Sequence, residues 1–466
     1  MTAAQIQTAE DVSLHTLDGQ GVFFTRSRQE LYIFNTPATF IWLAVEDGLT
    51  AEAIVQEYAQ AFGLAEADAV GQVQNMLVTW QRQGYLWTGA FPETEALDFN
   101  TALGRLLINP VLRSEFVRAP LRVAELMPIS PEDRVSLLAL NLEDLEAQAK
   151  NLSSKRLSRR HRAWSRFKAS AQYADPGEHS GLGRADGPEY HCRLLDTHFS
   201  VRTAPSLPAG EIGRLLGHLN RDLDHQAKVV ELEVLQANGQ IVLLEEGLPP
   251  RQSSSLENTV PMIHAALRRT AVNRHDFMLQ IHAGVVARHG VCTLLPAQAG
   301  SGKTTLTAAL ISNGYQYFSD EIALIEMPGF RVRPFPISLT VKPGSINALG
   351  RLYPELARLP SHVREDGITV RYLSPALESL PASLDEATAV RRIIFPRYDA
   401  DAETTLRPLA KADALQRLLD ECLVIPLLLE QAGISELVRL FEHVACYELV
   451  ISNLETAVRA IDDLDS

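Results

Sequence analysis

The sequence predicts a multidomain chain of mixed α+β and α/β character, with an N-terminal winged-helix unit, a helical middle segment and a C-terminal phosphate-loop domain. Three observations predict it. A hairpin pattern runs directly into three amphipathic helices within the first 90 residues. A proline-punctuated helical run then gives way to Gly/Pro-rich sequence. Near Val291, an apolar strand meets a small-residue loop and a helix in the order that phosphate binding requires.

Length and composition set the frame. At roughly 150 residues per domain, 466 residues predict about three units. With 46% hydrophobic and 21% charged residues, a disordered, collagenous or membrane-spanning chain is excluded. Lys+Arg of 43 against Asp+Glu of 57 gives a net charge of −14, which argues against non-specific nucleic-acid binding. The cysteines Cys192, Cys292, Cys422 and Cys446 form no C-x-x-C pair, and no apolar run follows the polar start. The expectation is a reduced, cytoplasmic protein without signal peptide, membrane span or structural zinc.

Residues 12–34 alternate around a Gly-Gln-Gly turn, with Val22-Phe23-Phe24 and Leu31-Tyr32-Ile33-Phe34 as strands flanking Ser27-Arg28-Gln29. Asn35 then caps a helix carrying Ala38, Ile41 and Trp42, which Gly48 stops. Thr50 caps a second helix through Ile54 and Tyr58, and a third runs through Val73, Leu77 and Trp80 to Gly84. This unit is placed at 1–95.

The segment 96–170 reads as short helices punctuated by Pro110, Pro120 and Pro128, with one opened by Pro131 and carrying Val135, Leu138 and Leu142. It ends in a basic run, Lys155, Arg156, Arg159, Arg160, Arg162, Arg166 and Lys168. A solvated linker and a surface for an acidic or phosphate-rich partner both fit that run. Residues 171–188 have linker composition, and 189–466 form the last domain.

The string V-C-T-L-L-P-A-Q-A-G-S-G-K-T-T-L carries the chemistry. Gly300, Ser301 and Gly302 let backbone N–H groups wrap phosphate oxygens, the following helix directs its positive end at them, and Lys303 adds a mobile cation. Thr304 and Thr305 complete the nucleotide-binding set, with the Thr304 hydroxyl positioned for Mg²⁺. The first glycine of the usual pattern is Ala297 here, which implies an ordinary backbone conformation at that position. Upstream, Met278–Ala287 reads as one strand joined to Val291–Leu295 by a tight Arg288-His289-Gly290 turn, with 287 opposite 291. That register puts His282 opposite 296, beside the mouth of the loop, while His289 is read as a structural turn residue. Downstream, Tyr315–Ser319 reads as a strand ending in Asp320 and Glu321. Adjacent residues on an extended strand face opposite ways, so only one is expected to point into the site, and Asp320 is chosen as base and Mg²⁺ ligand.

Ile281-His282-Ala283-Gly284, the loop PAQAGSGKTT, and YFSDEIALI followed by RPFPISL together resemble the HPr kinase/phosphorylase fold, particularly its HPr-kinase-related branch. Phe395-Pro396-Arg397-Tyr398-Asp399 resembles that branch too. The resemblance implies ATP and Mg²⁺ as cofactors, phosphate and metal handling by Lys303 and Thr304, a basic or metal-linked Asp320, and an orienting His282. Glu321 stands where many members carry Asp, and Arg397 is a candidate for neutralising transferring charge.

Asn35-x-x-Ala38-x-x-Ile41-Trp42, Gly48-Leu49-Thr50 and the helix ending Gly84-Tyr85-Leu86 are similar to PqqD, the winged-helix chaperone of ribosomally made peptides. This likeness, over residues 12–90, implies a precursor-peptide partner whose leader adds to the edge strand and packs on the third helix. A DNA-binding winged helix is the competing reading; Glu46, Asp47, Glu52, Glu57, Glu66 and Asp68 make the unit poor for phosphate contacts. The combined expectation is an ATP-dependent peptide kinase, acting on a core Ser or Thr hydroxyl, with neither nucleic acid nor membrane as partner and the oligomeric state open. The alternatives are an ATP-binding peptide chaperone without phosphoryl transfer and an HPr-type protein serine kinase.

Overall fold

In the computed structural model, the chain divides into two compact units, Met1–Ala163 with Leu427–Glu442, and Trp164–Pro426 with His443–Ser466. The structure describes residues 6–9, 12–26, 30–87, 97–108, 110–142, 144–145, 147–149, 185–220, 228–237, 239–246, 248–275, 277–298, 300–326, 329–419, 423–424 and 431–465. The basic run at 155–168, most of the expected linker at 171–188, and Cys422 lie outside the described residues. The chain is mixed α+β, and among the described residues no helix is long and apolar enough to cross a membrane.

In the first unit, Val12–Leu17, Gln20–Thr25 and Glu30–Phe34 form an antiparallel sheet in sequence order. The first turn is Asp18-Gly19, both at positive φ, rather than Gly-Gln-Gly. Gly21 lies within the strand instead, where a Cβ would stand 2.6 Å from Thr39 Oγ1 of the first helix. That helix, Thr36–Glu46, is capped by Asn35, whose side chain accepts from the Ala38 N–H at 2.9 Å. Thr50 caps Ala51–Phe62 in the same way, and Gly84 ends Glu66–Gln83 in the left-handed conformation. Sheet and helices meet in an aromatic core. Phe34 lies between Phe23 and Trp80, stacked on each at ring separations of 4.6 and 5.2 Å, and Trp42 meets Phe23 edge-on. Each such buried ring contributes about 2 kcal/mol or more.

The helices Pro110–Arg118, Pro120–Leu126 and Pro131–Leu138 each start at proline, where a missing N–H is harmless. They follow Phe99–Ile108 and pack around Leu106, Phe116 and Leu137. Val135, expected on the apolar face, is exposed. The helix from Pro131 stops at Leu138, so the apolar spacing beyond it does not continue one helical face.

The second unit opens with a five-stranded sheet whose inner face packs on the helices Ala209–Leu216 and Thr259–Asn273. Its larger sheet carries, as successive neighbours, Gln316–Ser319, Ala283–Arg288, Val291–Pro296 and Thr388–Tyr398. Thr388–Tyr398 also pairs in parallel with Ala445–Ile451.

Two expectations about this sheet need correction. Ala287 faces Cys292 and Arg288 faces Val291, one residue from the expected register, because the turn contains only His289 and Gly290. Both have positive φ, 51° and 75°, the conformation whose twist matches a hairpin. The expected strand Met278–Ala287 is also broken. Leu279–Ile281 pairs with Ala323–Glu326, Ala283–Arg288 pairs with Val291–Pro296 and Gln316–Ser319, and His282 stands at the break. Its carbonyl still accepts from the Ala297 N–H, at 3.4 Å, so it remains beside the loop.

Candidate functional site

The chain leaves the strand Val291–Pro296 through a tight loop and enters the helix Lys303–Ser312. Gly300 and Gly302 have φ of 92° and 87°, a region that side-chain-bearing residues adopt only at a cost of about 1–2 kcal/mol. Ala297 is not among the positive-φ residues, so alanine is unstrained there. The helix lies close over Ala283–Arg288: a Cβ on Gly284 would meet Thr307 Oγ1 at 2.3 Å. Glycine at 284 thus lets the helix sit down on the strand that follows His282.

Above the loop opens a cleft of about 710 Å³. Gly300, Ser301, Gly302, Lys303, Thr304 and Thr305, all read from the sequence as ligand-binding, line it. The Lys303 side chain is buried, and its ammonium donates to His282 Nε2 at 2.7 Å. His282 Nδ1 lies 2.9 Å from the Glu321 carbonyl oxygen, which can only accept. The imidazole is therefore the tautomer with hydrogen on Nδ1 and a lone pair on Nε2. Burial, reinforced by the Lys303 charge, pushes its pKa down to about 4, so it is neutral at ordinary pH.

Asp320 and Glu321 both border the cleft. The expectation of opposite orientations assumed a continuing strand, but Gln316–Ser319 ends before them and the chain bends at both. Their environments differ sharply. Burial pushes Asp320 up to about 6 against the pull of Lys303, and hydrogen bonds from the Thr304 hydroxyl and the Thr340 backbone reach its carboxylate. Its Oδ1 is buried and has no hydrogen-bond partner among the described residues. Glu321 is buried as well, which alone would raise its pKa. The Arg268 guanidinium at 2.9 Å, followed by His282, His264 and Lys303, outweighs that penalty and holds it well below the ordinary carboxylate range. Glu321 is thus committed to a counter-ion, and Asp320 keeps an oxygen available.

Arg397 is not among the residues lining the cleft; it pairs with Asp399 at 2.8 Å and is half exposed. Its neighbour Tyr398 does line the cleft, and the Tyr398 N–H donates to the Ser301 carbonyl at 3.1 Å. The structure adds residues that the sequence reading missed. Arg268 comes from the helix Thr259–Asn273. Lys342 and Ser345 come from the segment after Leu339–Val341, where Thr305 Oγ1 donates to Ser345 Oγ at 2.7 Å. The signal for Lys342 was its even spacing from Thr340 on a strand, followed by Pro343-Gly344. For Arg268, separated from Glu321 by 53 positions, no local signal existed.

No family model matches the chain, and no curated protein matches it in sequence. What the residues can do follows from their chemistry. A buried ammonium, a helix amino end and glycine-supported backbone amides suit a polyphosphate anion. The unpartnered Asp320 oxygen, poised near neutrality, can accept a proton or a cation. Thr304 Oγ1 and Asp320 fit Mg²⁺, which takes one or two protein oxygens and fills its remaining positions with phosphate and water.

Proposed function

We propose that the chain is an ATP-dependent peptide kinase, with an HPr kinase-like phosphate-loop domain joined to a PqqD-like, winged-helix unit that holds a precursor peptide by its leader. One observation carries the reading: Lys303, Thr304 and an Asp320 with one oxygen unpartnered among the described residues meet in one cleft behind a glycine-built loop. The nucleotide's phosphates would lie along Gly300–Thr304, with Thr304 and Asp320 holding Mg²⁺, which supplies charge neutralisation when bound. The acceptor oxygen of a core Ser or Thr attacks the γ-phosphorus, the bond from that phosphorus to the β–γ bridging oxygen breaks, and ADP leaves. Asp320 takes the hydroxyl proton, late in a largely dissociative transfer. His282, neutral and hydrogen-bonded to Lys303, orients the ammonium rather than exchanging a proton.

In the first unit, Glu30–Phe34 is the sheet's last strand, with one neighbour among the described residues. Tyr32, on the core-facing row with Phe34, is 36% exposed near Tyr85. An extended leader added there would gain backbone pairing and an aromatic contact beside the third helix. Tethering the leader raises the effective concentration of a weakly recognised acceptor at the cleft. A reducing, cytoplasmic setting belongs to this reading, supported by three buried cysteines, Cys192, Cys292 and Cys446, that form no disulfide among the described residues.

The test is mass spectrometry of a precursor peptide encoded beside this gene, after incubation with the protein and Mg-ATP. One phosphoryl mass on a core Ser or Thr is expected, and it should vanish with Lys303→Ala. ATP binding and leader binding without any mass gain would replace the kinase by a nucleotide-dependent chaperone.

A further inference from the structure

Lys342 is a cation of the cleft that no step above uses. It follows the strand Leu339–Val341, is half buried and lines the cleft, and its ammonium has no hydrogen-bond or ion-pair partner among the described residues. Other charges there are committed: Glu321 to Arg268 at 2.9 Å and Asp366 to Arg364 at 2.8 Å.

Its position is fixed from both sides. Two residues earlier, the Thr340 backbone donates to the Asp320 carboxylate; three residues later, Ser345 accepts from Thr305. Residues 340 and 342 share one face of an extended chain, about 7 Å apart. Thr340 also lines the cleft, and its buried Oγ1 has no hydrogen-bond partner among the described residues. Thr340 Oγ1 and Lys342 Nζ therefore form a pair of donors beside Asp320, on a different chain segment from Lys303. The acceptor hydroxyl must meet phosphorus next to the unpartnered Asp320 oxygen. The anion within reach of both donors is then the phosphoryl group being transferred, not the α- or β-phosphate.

We propose that Lys342, with Thr340, binds the γ-phosphate of the nucleotide and takes up its charge during transfer. This is the role the sequence suggested for Arg397, which pairs with Asp399 instead. The inference rests on the nucleotide reading of the site, and the experiment separates the two.

Calorimetric titration of the full chain with Mg-ADP and with Mg-AMP-PNP compares the wild type, Lys342→Met and Lys342→Arg. Lys342→Met should weaken AMP-PNP binding about tenfold, the loss expected for one charge-assisted hydrogen bond, and leave ADP within about twofold. Lys342→Arg should recover part of the AMP-PNP affinity. Equal losses for both nucleotides, or no loss for either, would overturn the assignment while the nucleotide site stands. A wild type that binds neither nucleotide would overturn the nucleotide reading and this inference with it.

Discussion

The Lys303 ammonium donates to His282 Nε2 at 2.7 Å, while His282 Nδ1 donates to the Glu321 carbonyl at 2.9 Å. Three segments distant in sequence are thereby joined through one neutral ring, and protonating that ring would turn its contact with Lys303 into a repulsion.

The first prediction concerns that ring. Its folded pKa, about 4, lies below the ordinary histidine value of 6.5, so the unfolded chain binds the proton more readily. Stability from this group is complete above about pH 6.5 and is lost as pH falls toward 4. A histidine NMR titration should show His282 still neutral at pH 5. Half-protonation near 6.5 would contradict the geometry.

Asp320 has the opposite linkage. Its pKa rises from 3.8 to about 6, so the folded state favours the proton, and stability falls as pH rises through that window. Asp320→Asn should therefore stabilise the protein at pH 8, by on the order of 3 kcal/mol, while abolishing peptide phosphorylation. Thermal melts at pH 8 and pH 4 check the sign: the gain should be present at the higher pH and shrink at the lower. The wild type conceals the two opposed dependences, and the variant should expose the acid loss due to His282.

Glu321 should behave in the reverse sense to its neighbour. Glu321→Gln removes the carboxylate that the Arg268 guanidinium meets at 2.9 Å, and breaking a buried pair costs about 3–5 kcal/mol. Arg268→Met should cost a similar amount, and Arg268→Met combined with Glu321→Gln should recover much of the loss. Urea melts of the four proteins form a double-mutant cycle, and strictly additive losses would mean that the pair does not couple.

The proposed leader surface has its own test. Tyr32→Asp puts a charge on the sheet's open edge; because Tyr32 stands opposite Phe23 of the buried Phe23–Phe34–Trp80 stack, a thermal melt must show that the variant still folds. Leader-peptide affinity, read by fluorescence anisotropy, should fall at least about tenfold, as for loss of an aromatic anchor. Mg-ATP affinity should be unchanged. An unaltered leader affinity would move the peptide away from this edge.

Local rules were enough for much of this chain. Asn35 and Thr50 cap the helices that follow them, Gly84 ends the third helix, and Gly300 and Gly302 hold the conformations that glycine permits, because caps and backbone sterics depend on a few neighbouring residues. Strand-loop-helix order around Lys303 was legible for the same reason. The one-residue error in the hairpin came from counting Arg288 into the turn, and a two-residue primed turn needs only His289 and Gly290. The break at His282 arises because the chain changes sheet neighbours there, and no periodicity within 278–287 encodes which strands lie alongside. Charge states were decided still further away. Asp320 and Glu321 are adjacent carboxylates in the sequence, yet Arg268 stabilises one as an anion while burial, only partly offset by Lys303, raises the pKa of the other. Sequence alone determined which groups could do the chemistry, because residue type fixes donor, acceptor and charge. Only the tertiary structure decided which of them are spoken for, because burial and the counter-ion across the fold set the free energy of each charge.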